Sequence, residues 1–341
     1  MAYTVRAADL VADRPHILRV WEESLPSATA DHYTWVYERN PFGPVSTWVL
    51  EADDDVVGTA TVMPRTLIGM GRRWRAGVTV DFAVAAGHRT VGPALMLQKA
   101  LLQACRDEGF DVIYGFPVQA ASRVQSRAGF TALGRAAELR KTLRSADALT
   151  HRFGAMARVA APFVDAALRI ADVLQRPSPR APYRFAELST FDARFDDFWD
   201  RLRHTMPLTS DRTSAYLNWR YAQCPHDAYH TLVMESSTGD RIHGFAVWSV
   251  RHGEFLIADV IAEDAAALMS ALVDRARSLG ATAMSSRCFG AALLTDVQRH
   301  CGFKLGESGR DAVMFVPAGG ECAQRLADRG NWYLLRGDTD V

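Results

Sequence analysis

The stretch Arg89-Thr90-Val91-Gly92-Pro93-Ala94 is the part of this sequence whose residue types and spacing best suit a chemical task. It follows a β-branched segment ending at Val84 and opens an apolar-periodic helix, so the pattern R-x-x-G-x-A falls on a helix start. The first N–H groups of a helix have no partner inside it, and the helix dipole adds positive potential there. Together they make an anion site. Val91, Gly92 and Ala94 can donate, Gly92 lets backbone approach a pyrophosphate closely, and Pro93, which has no N–H, suits a first turn. Arg89 brings a forked donor to the rim. The bare pattern is common; its strand-turn-helix setting gives it weight.

The elements around it must position it. The sequence predicts strands over Tyr3–Ala7, Thr47–Ala52, Val56–Leu67, Trp74–Val84, Asp111–Phe116 and Ala132–Leu143. Helices are expected over Arg14–Ser24, Ala30–Glu38, Gly92–Glu108 and Gln119–Arg127. The order β-α-α-β-β-β-α-β-α-β then repeats from Tyr183–Leu188 to Asp311–Val316. Trp35-Val36-Tyr37 with Pro41 is echoed by Trp219-Arg220-Tyr221 with Pro225, and Arg127-Ala128-Gly129-Phe130 by His300-Cys301-Gly302-Phe303. An internal duplication is expected, with domains over 1–145 and 183–341 and a linker over 146–182 that ends in a Pro-rich connector. Gly154–Leu174 reads as an amphipathic linker helix, because Arg158, Asp165, Arg169 and Asp172 make it a poor membrane span. The turn of the second half that matches Arg89–Ala94 is Ile261–Ala266. It lacks glycine and carries Glu263 and Asp264, which would repel phosphate, so only the first copy is expected to bind one.

In this setting the strand, the R-x-x-G-x-A turn and helix, and the strand, helix and Gly129-Phe130 that follow resemble the acyl-CoA binding core of the GNAT N-acetyltransferase superfamily, over residues 3–143. The resemblance implies an α/β (α+β) fold of two tandem GNAT-like domains, each a mixed, mostly antiparallel sheet flanked by helices. It implies acetyl-CoA or another acyl-CoA as donor. The acyl group would pass to a small-molecule amine, such as an amino sugar or a biosynthetic intermediate, by direct attack on the thioester. Phe82, Ala83 and Val84 would contact the pantetheine arm between splayed fourth and fifth strands, and Arg89, Thr90, Val91, Gly92, Pro93 and Ala94 would hold the pyrophosphate. A tyrosine often stands four residues before the Gly-Phe glycine as general acid; here that residue is Gln125. Tyr37, Tyr114, water or the free thiolate is left for the task. Val118 stands where related sequences tend to carry Asn after the proline. As the base, Asp81 beside the proposed cleft comes first, since burial tunes a carboxylate upward. A salt bridge to Arg75 or Arg89 is its ordinary alternative. His88, as base or phosphate contact, and Glu138 follow.

Tyr216-Leu217-Asn218-Trp219-Arg220-Tyr221 resembles a stretch of GNAT-like proteins found with polysaccharide and cell-envelope biosynthesis. Asn218 and Arg220 would line an acceptor pocket or brace the domain interface. The tail Trp332 to Asp340 resembles the W-x-x-x-x-G-D-x-D ending of the same group, which brings Asp338 and Asp340 toward a cationic amine or sugar hydroxyls, unless they are solvated end charges.

Composition narrows the alternatives. The 341 residues include 39 Lys+Arg against 39 Asp+Glu, a balance that gives no global pull on nucleic acid or an anionic membrane. This argues against a Fem-like transferase using aminoacyl-tRNA, the first alternative; a non-catalytic acyl-CoA-binding pair is the second. Neither a nucleic-acid partner nor membrane insertion is expected, and a homodimer is left open. The five cysteines are scattered and odd in number, the expectation for reduced, mostly buried thiols in a cytoplasmic protein. There is no metal-ligand spacing, no G-x-S-x-G elbow and no phosphate-loop G-x-x-x-x-G-K.

Overall fold

A computed structural model describes residues 2–25, 27–176, 179–306, 310–317 and 319–339. The first half runs β1 (Tyr3–Ala7), α1 (Arg14–Ser24), α2 (Ala30–Tyr33), β2 (Ser46–Ala52), β3 (Asp55–Gly69), β4 (Arg72–Val84), α3 (Val91–Asp107), β5 (Val112–Gly115), α4 (Gln119–Ala128), β6 (Thr131–Arg135) and β7 (Ala137–Thr142). Helices α5 (Ala146–Phe153) and α6 (Ala161–Leu174) lead to the second half. It continues with β8 (Arg184–Leu188), α7 (Ala193–Leu202), β9 (Thr209–Ser210), α8 (Ser214–Leu217), β10 (His230–Glu235), β11 (Ile242–Arg251) and β12 (Glu254–Ala262). It closes with α9 (Ala265–Ser278), β13 (Ala283–Gly290), α10 (Ala292–His300), β14 (Lys304–Leu305), β15 (Asp311–Phe315), α11 (Gly320–Ala327) and β16 (Tyr333–Leu335).

Local chemistry sets the long hairpins. Asp53-Asp54 between β2 and β3, and Met70-Gly71 between β3 and β4, all have positive φ, the two-residue turn whose twist matches paired strands. β3 is buried along nearly all its length, because the hydrophobic core lies on both of its faces. On one face α3 packs Leu97, Leu101, Leu102 and Cys105 against Val62 and Ile113. On the other, a larger cluster runs from Trp21 through Trp35 and Trp219 to Trp332 and so joins the two halves.

Two mixed, mostly antiparallel sheets result, in the orders β1-β2-β3-β4-β5-β15-β6 and β14-β7-β13-β12-β11-β10-β8, with β9 added on β3 and β16 on β13. They do not follow the expected division of the sequence. The single strand expected over Ala132–Leu143 breaks at the buried Ala136, and Gly134 just before it takes φ of +107°. Its first part stays in the first sheet as β6, while its second part crosses to the second sheet as β7, against β13. In exchange β15, the expected last strand of the second half, inserts between β5 and β6. A boundary at the Pro-rich connector therefore divides the chain but not the sheets.

The duplicated tryptophans meet at the centre. Thr34–Glu38 and Asn218–Ala222 each form a π-helical turn. Trp35 and Trp219 stack at 4.9 Å, and each indole N–H donates to the backbone oxygen of the other, at 2.7 and 2.8 Å. Equivalent residues making reciprocal bonds are the mark of a local two-fold relation between the halves. Of the five unpaired cysteines, Cys105 and Cys288 are buried and the other three are half-buried, fewer than expected. Among the described residues no helix is long and apolar enough to cross a membrane.

Candidate active site

The site lies where β4 and β5 part. These strands pair in parallel only at Ala76–Val78 with Val112–Tyr114; β5 ends at Gly115 while β4 continues to Val84. Gly115 permits the close start of this fork, since a Cβ there would collide with the Thr79 hydroxyl. Beyond it β4 bulges: Thr61 pairs with Val80 and Thr59 with Ala83, so Asp81 and Phe82 together oppose Ala60. Asp81 takes φ of +51°, a left-handed conformation that Asp tolerates better than most residues. A cleft of about 200 Å³ opens at the fork, lined by Thr79, Asp81 and Phe82 of β4, Pro117, Val118, Ala121 and Gln125 at α4, His32 of α2, and Arg310.

Asp81 is held by a chain of side chains. His32 Nε2 stands 3.1 Å from both carboxylate oxygens, and the Tyr37 hydroxyl donates to Oδ2 at 3.1 Å. A carboxylate only accepts, so His32 Nε2 carries the proton and Nδ1 is left to face His226 Nε2, 2.8 Å away. In the neutral chain His226 donates to His32; if His32 gains a proton, the bond reverses. Both His32 nitrogens are engaged, so the group forms a relay rather than a metal shell. His226 comes from the loop after Pro225, in the other half of the sequence. Burial, followed by the neighbouring His32 and Arg220, lowers its pKa below the ordinary histidine value. Burial, with Asp81 beside it, raises the Tyr37 phenol well above its usual range. Tyr37 also bonds the Thr61 hydroxyl at 2.7 Å and sits behind Asp81 outside the cleft lining, where it fixes the carboxylate.

The start of α3 is open. Thr90 is extended and makes no side-chain cap, no acid occupies the first turn, and Val91 is exposed. A Cβ at Gly92 would meet nothing within 4 Å. Phe82 faces the cleft, whereas the side chains of Ala83 and Val84 are buried. Pro93 and Ala94 seat the first turn on the core. The Arg89 guanidinium is turned to the protein, donating to Val84 O at 2.8 Å and Ser24 Oγ at 2.9 Å, so it braces the fork. α9 differs: Asp264 caps its own helix through Ala267 N at 3.1 Å and also accepts from Arg180 N.

Several expected site residues fall elsewhere. His88 pairs with the Tyr3 hydroxyl at 3.0 Å and is outside the cleft lining. Glu138 belongs to β7 in the other sheet, bound to Arg287 and 3.7 Å from Arg336, because the strand that carries it crossed over. Tyr114 is buried and donates to Asp338 O at 3.4 Å. Asn218 is used up on backbone, binding Phe191 N, Phe191 O and Ser214 O. Arg220 is buried, donates to Gly337 O at 2.8 Å and lies over Trp35, which makes it a brace between the halves and not a pocket residue. Asp338 is fully buried, its Oδ2 2.6 Å from Arg212, which also meets Asp259 at 3.3 Å. It cannot reach an acceptor. Asp340 lies outside the described residues. Sequence reasoning missed His32, His226 and Arg310, which are brought in from distant positions without a local pattern. Val118 stands at the N-cap of α4 and has no side-chain acceptor to cap it with. Gln125 is buried against the cleft, and its amide oxygen has no hydrogen-bond partner among the described residues.

A forked sheet beside an open helix start is an arrangement suited to acyl transfer. Residues 5–132 match the family described as acetyltransferase (GNAT) domain. Among curated proteins no sequence matches. Solved structures share the fold along nearly the whole chain. A probable N-acyltransferase from Enterococcus faecalis V583 matches with TM-score 0.67 at 12% identity, covering 93% of this chain and 73% of that one. A GCN5-related N-acetyltransferase from Anabaena variabilis gives 0.66 at 12% identity, with the same coverages. The N-myristoyltransferase of Saccharomyces cerevisiae with bound myristoyl-CoA gives 0.58 at 10%, covering 92% and 82%.

Proposed function

We propose that the protein transfers an acyl group, in the simplest case acetyl, from acyl-CoA to a small amine at the fork between β4 and β5. The observation that carries this reading is the unpaired edge of β4 beside Asp81: the backbone from Thr79 to Val84 has no strand partner on the β5 side, so a pantetheine arm could pair there. The uncapped start of α3 suits the pyrophosphate, with N–H groups of Val91, Gly92 and Ala94 as donors. The self-capped α9 supports a single donor site, in the first half.

The chemistry follows from the residues at the cleft. An ammonium acceptor gives a proton to Asp81, whose charge His32 and Tyr37 keep aimed. The freed nitrogen lone pair attacks the thioester carbonyl carbon, and collapse of the tetrahedral adduct breaks the C–S bond. CoA leaves as its thiolate; Asp81 passes the first proton to solvent, and the restored carboxylate then takes the second proton from the adduct nitrogen and releases it the same way. Gln125 offers an amide N–H that can stabilise developing charge but no proton to give away.

Calorimetric titration with acetyl-CoA and longer acyl-CoAs, together with a screen of amines for thiol release, tests the reading. Gly92→Glu puts a carboxylate into open space at the helix start and is expected to abolish binding without loss of fold. Asp81→Asn is expected to bind acyl-CoA normally and to lower kcat by roughly 10²–10⁴-fold. Absence of binding to every acyl-CoA by the unaltered protein would refute the proposal.

A further inference from the structure

Helix α6 carries its polarity the wrong way round for a helix on a protein surface. Ala161, Asp165, Leu168 and Asp172 form its inward stripe. Both of its carboxylates are therefore turned onto the protein. Asp165 accepts the Ser145 N–H at 2.6 Å, and Asp172 binds Lys141 at 2.6 Å and Arg277 on its other oxygen. The opposite stripe is Phe163, Ala166, Ile170 and Val173, all exposed; Phe163 and Ile170 are 79% and 61% open. Met156 and Val159 in the preceding turn continue it, 85% and 74% open. Of the seventeen large hydrophobic side chains exposed among the described residues, eight fall between Phe153 and Leu174. Soluble monomers rarely leave so contiguous a patch uncovered.

We infer that α6 is a docking face for α6 of a second copy of this chain, packed across a two-fold axis. The spacing 163, 166, 170, 173 alternates three and four residues, the narrow seam by which one helix packs along another. Ala166 and its neighbour Ala167 let two backbones approach. A two-fold contact needs only one self-complementary patch, which a single helix can supply. Fourteen of the described residues between 153 and 174 are exposed, about half of the roughly 20–30 residues a side that a stable interface uses, gathered on one helix and the turn before it. A bilayer surface fits less well. Helices that lie on lipid pair an apolar face with a Lys/Arg-rich polar face, whereas here the inward face is acidic and already ion-paired, and Arg169 is the one exposed charge on α6.

The test uses the full chain and is independent of acyl transfer. Light scattering behind size exclusion, repeated over a concentration series, is expected to give a particle of twice the 37.6 kDa chain mass. Ile170→Glu, at an exposed position, is expected to convert it to monomer with an unchanged circular dichroism spectrum. Leu293→Glu, exposed on α10 and far along the chain, leaves the dimer intact. Ala166→Cys is expected to form an intermolecular disulfide on mild oxidation. A monomer at all concentrations, or a dimer indifferent to Ile170→Glu, overturns the inference. So does a monomer that sediments with phosphatidylserine vesicles and loses that binding in Ile170→Glu, which would assign the face to lipid.

Discussion

Asp81, His32 and His226 behave as one unit because His32 is engaged through both ring nitrogens, with Asp81 on one side and His226 on the other. His226 gives the unit a measurable signature. Its folded pKa lies below the ordinary value of 6.5, first through burial and then through His32 and Arg220, while Asp227 and Asp81 pull the other way. With the folded value depressed, the unfolded chain takes the proton first as pH falls, so folding is opposed below about pH 6.5 and unaffected above it. Melting temperature is expected to decline on acidification through that point, and His226→Asn to flatten the decline relative to the unaltered protein. Melts between about pH 5 and 8 check it. An equal slope in the variant would mean that the titration belongs to other groups.

Among the elements, the paired π-helical turns matter most, since they join the halves through one pair of rings. Trp219 also faces the buried guanidinium of Arg65 at 4.7 Å, so removing its ring strips a cation of an aromatic partner as well as leaving a cavity. Trp219→Ala is expected to cost about 3–5 kcal/mol. Trp35→Ala in the same chain should add less than its own single effect, because both changes remove the same stack and the same reciprocal bonds. Urea unfolding of the two single variants and the double variant measures this. Strict additivity would show that the rings contribute independently and that the two-fold contact carries no coupling.

For the whole molecule, strand exchange makes the halves inseparable. Among the described residues β6 meets the first sheet only through β15, whose Asp311 lies 176 positions beyond Arg135 of β6, and β7 has its partners in the second sheet. A fragment of residues 1–145 would leave the β5 edge and one whole strand uncovered, with β7 projecting as an unpaired segment. It is expected to aggregate or remain partly unfolded, as read by circular dichroism and amide-proton dispersion. A well-dispersed, cooperatively melting fragment would show that the exchange is dispensable. The second half also keeps a fork of its own: β12 and β13 pair in parallel only over Glu254–Ile257 with Ala283–Ser286, and beyond that β16 and Asp338 fill the gap against Arg212 and Asp259. The chain's own tail occupies there the kind of opening that stays free in the first half.

Local pattern determined the element order, the duplication, the open helix start at Gly92 and the candidate Asp81, because periodicity, turn chemistry and helix capping act over a few residues. The Trp35 and Trp219 echo was legible for the same reason, although its meaning as a mutual contact was not. Only the tertiary structure decided that His32 and His226 join Asp81, that Glu138 leaves with its strand, and that Asn218, Arg220 and Asp338 serve the core instead of a substrate. Those outcomes depend on which strands become neighbours and which charges end up buried. Pairings between positions nearly 200 residues apart leave no periodic trace in the sequence, since they are selected by closure of the sheets and by the cost of an unpaired polar group in the core.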